Sequence, residues 1–151
     1  MEATNKNQKM RCPSFFSLVL VLALCGCSTV KPAKHFGNVD LDSLKSAYIV
    51  WSPGIDRSIE HYAREGLEKH GVTVTTGPKQ DKPASAAFWV ECQPRWTWDL
   101  VMYLDALDIR FVENTSEQII AIGSFKNSFF HSFPDPRKKT IEVIDSMYAH
   151  K

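Results

Sequence analysis

The sequence predicts an α+β fold: a two-layer sandwich with a mixed five-stranded sheet and two helices on one face, in the order β-α-β-β-β-β-α. Three observations carry this. Ala47 to Gly77 reads strand, helix, strand within a short span. Apolar residues then alternate with polar ones for most of the stretch from Ala86 to Phe125. A second helical repeat closes the chain after Asp135-Pro136.

Ala47-Tyr48-Ile49-Val50-Trp51 is a compact apolar run rich in β-formers, which stops at Ser52-Pro53-Gly54. Ile55, Ile59, Tyr62, Ala63, Gly66, Leu67 and His70 then recur on one face of a helix, and charged residues fill much of the other. Gly71 stands where a C-terminal cap belongs. Val72 to Thr76 is the second strand, and the short connection implies a parallel pair in a right-handed βαβ unit. Ala86 to Gln93 has strand periodicity, and Pro94-Arg95 is expected to interrupt it. From Trp96 the apolar phase runs through Trp98, Leu100, Met102 and Leu104, then shifts to Leu107, Ile109 and Phe111. A one-residue phase shift predicts a β-bulge near Asp105-Ala106. Asn114 to Glu117 is a hairpin turn, and Gln118 to Phe125 is the last strand. Asp135 caps a final helix that starts at Pro136, with Ile141, Ile144, Met147 and Tyr148 as its apolar stripe.

Before the domain lies a different kind of sequence. Lys6, Lys9 and Arg11 precede an apolar run from Phe15 to Leu24, which ends in Leu24-Cys25-Gly26-Cys27. The run is too short to cross a membrane as a helix. It has the layout of a secretory signal. The last four residues resemble the lipobox of bacterial lipoproteins. That resemblance implies that residues 1–26 are removed and that Cys27 carries acyl chains, each contributing about 0.8 kcal/mol per buried methylene. Ser28, rather than Asp, follows Cys27. By resemblance to enterobacterial lipoproteins this implies an outer-membrane address facing the periplasm. Residues 27–43 are expected to be the lipidated N-terminus and a short tether, with Phe36, Val39 and Leu41 able to fold back. Residues 44–151 are the single domain. Its element order weakly resembles TolB-type N-terminal domains and small Gram-negative envelope lipoproteins, and it transfers no site.

The chain has 151 residues and a formal net charge of +1. Without the leader's three cations it is close to neutral, so nothing in its charge points to nucleic acid. Cys12 and Cys25 leave with the leader and Cys27 would carry lipid, so Cys92 is expected to be a lone buried thiol. His61 and Glu65, one turn apart, read as a solvated face rather than a metal site. His70 reads as a structural residue near the last helical carbonyls. No metal and no cofactor is expected. Asp99 and Asp105 are the carboxylates a polymer hydrolase would use if they converged, but no histidine or nucleophile neighbours them. The aromatics stand out more. Trp89 and Tyr103 occupy the polar phases of their strands, and Phe129, Phe130 and His131 sit in an expected loop. They are either a contact surface or part of a doubly covered sheet. The sequence reads as a non-enzymatic, lipid-anchored interaction or assembly module with an envelope protein as partner. The alternatives are a binder of an apolar or glycan ligand and, less favoured, the hydrolase.

Overall fold

Ala47 to Val50 is where the sheet begins to make sense. Both flanking strands run parallel to this short apolar segment, so its backbone is paired on both sides and its side chains are buried. The computed structural model describes residues 29–51, 54, 57–128 and 133–149. Its elements are β1 (Thr29–His35), β2 (Ser46–Val50), α1 (Ser58–Lys69), β3 (Thr73–Gly77), β4 (Phe88–Asp99), β5 (Val101–Glu113), β6 (Ile119–Lys126) and α2 (Pro136–Tyr148). The strands form one mixed sheet in the order β1-β6-β5-β4-β2-β3. The α+β class stands as expected, but the sheet has six strands rather than five.

The additional strand is β1. Residues expected to serve as a tether pair antiparallel with β6, from Thr29 opposite Lys126 to His35 opposite Ala121, with an irregularity between Lys31 and Lys34. Lys31, Pro32 and Lys34 hid it. A strand at the sheet edge tolerates a proline and exposed lysines, and these discourage further pairing. Beyond it Leu41 is buried and Val39 packs partly on the core, while Phe36 stays exposed.

Both helices lie over one face. α1 packs on β2, β3 and β4, and α2 packs on β1, β5 and β6. Between them Gly66 brings the helices close: a β-carbon there would meet Ile144 Cδ1 at 2.9 Å. α1 ends at Gly71, whose φ of 73° closes a Schellman motif. The Gly71 amide donates to Glu68 and the Val72 amide to Leu67. α2 starts as its sequence predicts, with the Asp135 carboxylate accepting from the Arg137 and Lys138 amides and Pro136 in the first turn. Its buried stripe is Thr140, Val143, Ile144 and Met147, so Ile141 is only half-buried. The core between the layers holds Ile49, Leu67, Phe88, Leu104, Phe111, Phe125 and Ile144.

The β-bulge is present. Arg95 faces Ala106 and Trp96 faces Leu104, so Asp105 is the extra residue. The strand break, however, is not at Pro94. β4 runs through Pro94, which faces Leu107. Its other neighbour, β2, pairs with β4 only as far as Glu91. Pro94 therefore has no ladder bond to lose on that side. The chain turns instead at Leu100, a non-glycine residue with φ of 61°.

Candidate functional site

The β4–β5 hairpin is the most unusual surface of the domain. Neighbouring strands support it only at its base: β6 pairs with β5 from Ala106 onward, and β2 leaves β4 at Glu91. From Trp96 to Leu104 the two strands project together. Near their base Trp96 and Leu104 turn toward the core. Further out the apolar side chains face solvent. Trp98 is 69% exposed, Leu100 85%, Val101 50% and Met102 58%. Trp98 pairs across the hairpin with Met102, so the two side chains share a face. At the base Arg95 donates to Asp105, with Nη2 to Oδ2 at 2.8 Å, which fixes the bulge.

The hairpin has a definite position relative to the chain's entry into the sheet. Thr29 faces Lys126, Lys126 faces Ala106, and Ala106 faces Arg95. These four residues form one row across the sheet. The beginning of β1 and the hairpin tip therefore lie at the same end of the molecule. Arg95, Lys126 and Lys31 are exposed along or next to that row.

The expected contact aromatics fare differently. Trp89 is not on an open surface: it is 5% exposed, packed with Tyr48, Val50, Ala86 and Val112 on the face away from the helices. The ammonium groups of Lys79 and Lys82 lie 4.5 and 5.0 Å from its ring centroid and close it over. Tyr103 is 7% exposed. Phe133 meets it edge-on, centroids 5.5 Å apart. Both rings are thus covered, because segments distant in sequence lie over the polar phase of the sheet. Phe129, Phe130 and His131 lie outside the described residues, as do Cys27 and the residues before it that are expected to form a leader.

The carboxylates do not converge. Asp105 is held by Arg95 at the hairpin base, while Asp99 lies at the tip, roughly four strand residues or about 13 Å away. Asp108 accepts a hydrogen bond from Ser124 Oγ at 2.7 Å. Glu65 is engaged by the Arg137 guanidinium, which joins α1 to α2 and holds the carboxyl below its usual range. His61 stays exposed beside it. His70 bonds not to helical carbonyls but to Asp145, Nε2 to Oδ1 at 2.9 Å. Among the described residues no cluster of three His, Cys, Asp or Glu side chains can hold a metal. Cys92 is buried, and desolvation, reinforced by Glu60 and Glu91, pushes its thiol pKa up.

Sequence reasoning overlooked a recess of about 230 Å³ near the C-terminal ends of β2 and β3. Trp51, Arg57, Glu60, His61, Arg64 and Thr76 line it. Arg57 stacks on Trp51, its guanidinium carbon 4.1 Å from the ring centroid, and Arg64 donates to Thr76 Oγ1 at 3.2 Å. The available signal was Trp51 itself, an aromatic residue at the end of a parallel strand, where open α/β sheets place ligands.

The sequence matches no family model and no curated protein. Solved structures do resemble it. The PelC dodecamer from Paraburkholderia phytofirmans superimposes with a TM-score of 0.55 at 13% identity, over 82% of this chain and 100% of that one. A point variant of the same dodecamer gives 0.56 at 13% identity. TolB from Acinetobacter baumannii gives 0.48 at 14% identity, over 80% of this chain and 30% of that one. At these identities the likeness to PelC is one of fold: 82% of this chain folds like a PelC protomer, over the whole of the latter's length.

Proposed function

We propose that this chain is a lipid-anchored protein of the cell envelope that works as a non-catalytic interaction or assembly module, with its domain on the periplasmic side of the outer membrane. The observation that carries an interaction role is the hairpin from Trp96 to Leu104. Trp98, Leu100, Val101 and Met102 are all exposed at its end, with Trp98 and Met102 side by side on one face, and large exposed apolar side chains gathered at one place mark contact sites. The lipobox-like Leu24-Cys25-Gly26-Cys27 supports the anchor. The fold likeness to a protein that assembles as a dodecamer makes self-association one form such a module could take. The test is crosslinking in cells followed by mass spectrometry, comparing the parent chain with Cys27→Ala. The expected result is a set of envelope neighbours for the parent that Cys27→Ala loses. An identical set of neighbours for both proteins would remove the anchor from the argument.

The recess beside Trp51 favours a second reading, a ligand-binding lipoprotein. An indole face flanked by Arg57, His61 and Arg64 offers stacking and cationic donors to a polar or glycan ligand. Titration with anionic and neutral oligosaccharides, followed by tryptophan emission, tests it. A parent response that Trp51→Ala leaves intact counts against this site.

A further inference from the structure

We infer that the tip of the β4–β5 hairpin enters the lipid bilayer beside the acylated N-terminus, giving the domain a second membrane contact. The inference rests on the proposed acylation of Cys27. It starts from reach. Cys27 precedes Thr29 by two residues, which span at most about 7 Å of chain. Thr29 lies in the row with Lys126, Ala106 and Arg95. From Arg95 the hairpin continues to Leu100, five residues or roughly 16 Å further along the strand direction. β1 runs parallel to β5, because each is antiparallel to β6, so its first residue faces the same way as the tip. The hairpin therefore extends further toward the membrane than the linker from Cys27 can hold it back. With the acyl chains embedded, an upright domain brings the tip into the lipid.

The chemistry of the tip suits that position. Trp98, Leu100, Val101 and Met102 are the side chains that would leave water. Tryptophan is at home in the headgroup region, where its ring is in the apolar layer and its N–H meets water. Lys126 and Arg95 lie in the row and Lys31 next to it, about 10 Å or more behind Trp98, where their charge favours approach to an anionic lipid surface without entering it. Asp99 restricts entry to a shallow depth. A second observation is independent of reach. Leu100 holds a left-handed φ of 61° while 85% exposed. Glycine or asparagine would make that turn with less strain. Strain kept at an exposed apolar tip fits a residue needed for contact rather than for folding.

The experiment uses the protein purified from membranes of cells expressing the full chain and reconstituted into vesicles of phosphatidylethanolamine and phosphatidylglycerol, with or without lipids brominated near the headgroup end of the acyl chain. Intact mass reports whether Cys27 carries lipid, and tryptophan quenching reports entry. Comparing the parent with Trp98→Phe isolates the contribution of Trp98. Acylated Cys27 with bromolipid quenching that Trp98→Phe removes supports the proposal. Acylated Cys27 without such quenching overturns it and leaves the anchor standing. Unmodified Cys27 with quenching overturns the anchor but supports entry. Unmodified Cys27 without quenching overturns both. In flotation with Cys27→Ala protein, Leu100→Asp is expected to weaken vesicle binding by about tenfold or more. If Leu100→Asp instead lowers the sedimenting mass and leaves flotation unchanged, the tip is a contact between protein chains and the proposal fails.

Discussion

His70 lies flat against Tyr148, with ring centroids 4.0 Å apart and planes 8° from parallel. The stack joins the end of α1 to the end of α2, and Asp145 completes it through His70 Nε2 and Lys69 Nζ. Partial burial would raise the Asp145 pKa, but the hydrogen bonds from His70 and Lys69 outweigh it and hold the carboxyl below its usual value. A depressed carboxylate stabilises the fold above its unfolded pKa of about 3.9, and the contribution is lost as pH falls through the folded value. Urea midpoints should therefore decline below about pH 4. Asp145→Asn should flatten that decline and cost about 0.5–1 kcal/mol at neutral pH, a small figure because the group is 41% exposed. An unchanged acid limb in the variant would assign the decline to other carboxylates.

Gly123 lies under α2, and a β-carbon there would come within 2.7 Å of Val143 Cγ1 and 2.9 Å of Met147 Sδ. Gly123→Ala should destabilise by about 1–3 kcal/mol, because the helix must lift from β6. Met147→Ala, costly in the parent because the side chain is buried, should cost less in the Gly123→Ala background, where it removes one of the two clashes. Denaturant titration of the single and double variants measures it.

Cys92 should resist thiol reagents in the native protein and react fully in denaturant. Burial raises its pKa first and the nearby Glu60 and Glu91 add to it, so little thiolate forms at neutral pH. Rapid labelling of the native chain, at a rate unrelated to unfolding, would contradict the buried placement.

Leu100→Gly should raise stability by about 0.5 kcal/mol, the net of relieved left-handed strain and the greater freedom of the unfolded chain. Thermal unfolding of the two proteins compares them. A loss of stability would mean that the leucine side chain contributes packing that its exposure does not suggest.

A chain shortened to begin at Leu44 should be less soluble and less stable than the full domain. It would expose the edge of β6 and lose the contacts of Val30 and Ala33 with the core. Retention of the parent's cooperative unfolding would show that β1 is dispensable.

Much of the fold was legible because local pattern and final burial agree. Ala47 to Gly77 has an apolar run, a helical repeat and a glycine cap, and each becomes the element it predicts. The bulge at Asp105 was legible as a change of phase. The turn at Leu100 was not, since no glycine, proline or asparagine marks it. Pro94 misled because whether a proline breaks a strand depends on whether that strand has a neighbour there. β1 was hidden by lysines that an edge strand tolerates. Alternation assigned Trp89 to the polar phase correctly. It could not reveal that Lys79 and Lys82, on a separate turn, would cover the ring.

The pairing of β1 with β6 also decides how this domain would respond to mechanical load. A pull entering through the N-terminus reaches the sheet at Thr29, at one end of a strand paired with β6 on both sides of its irregularity. Tension along that strand loads the β1–β6 ladder in shear, so its bonds resist together rather than opening one by one. Under the proposed acylation of Cys27, a pull on the N-terminal side would therefore not begin by unravelling the domain there.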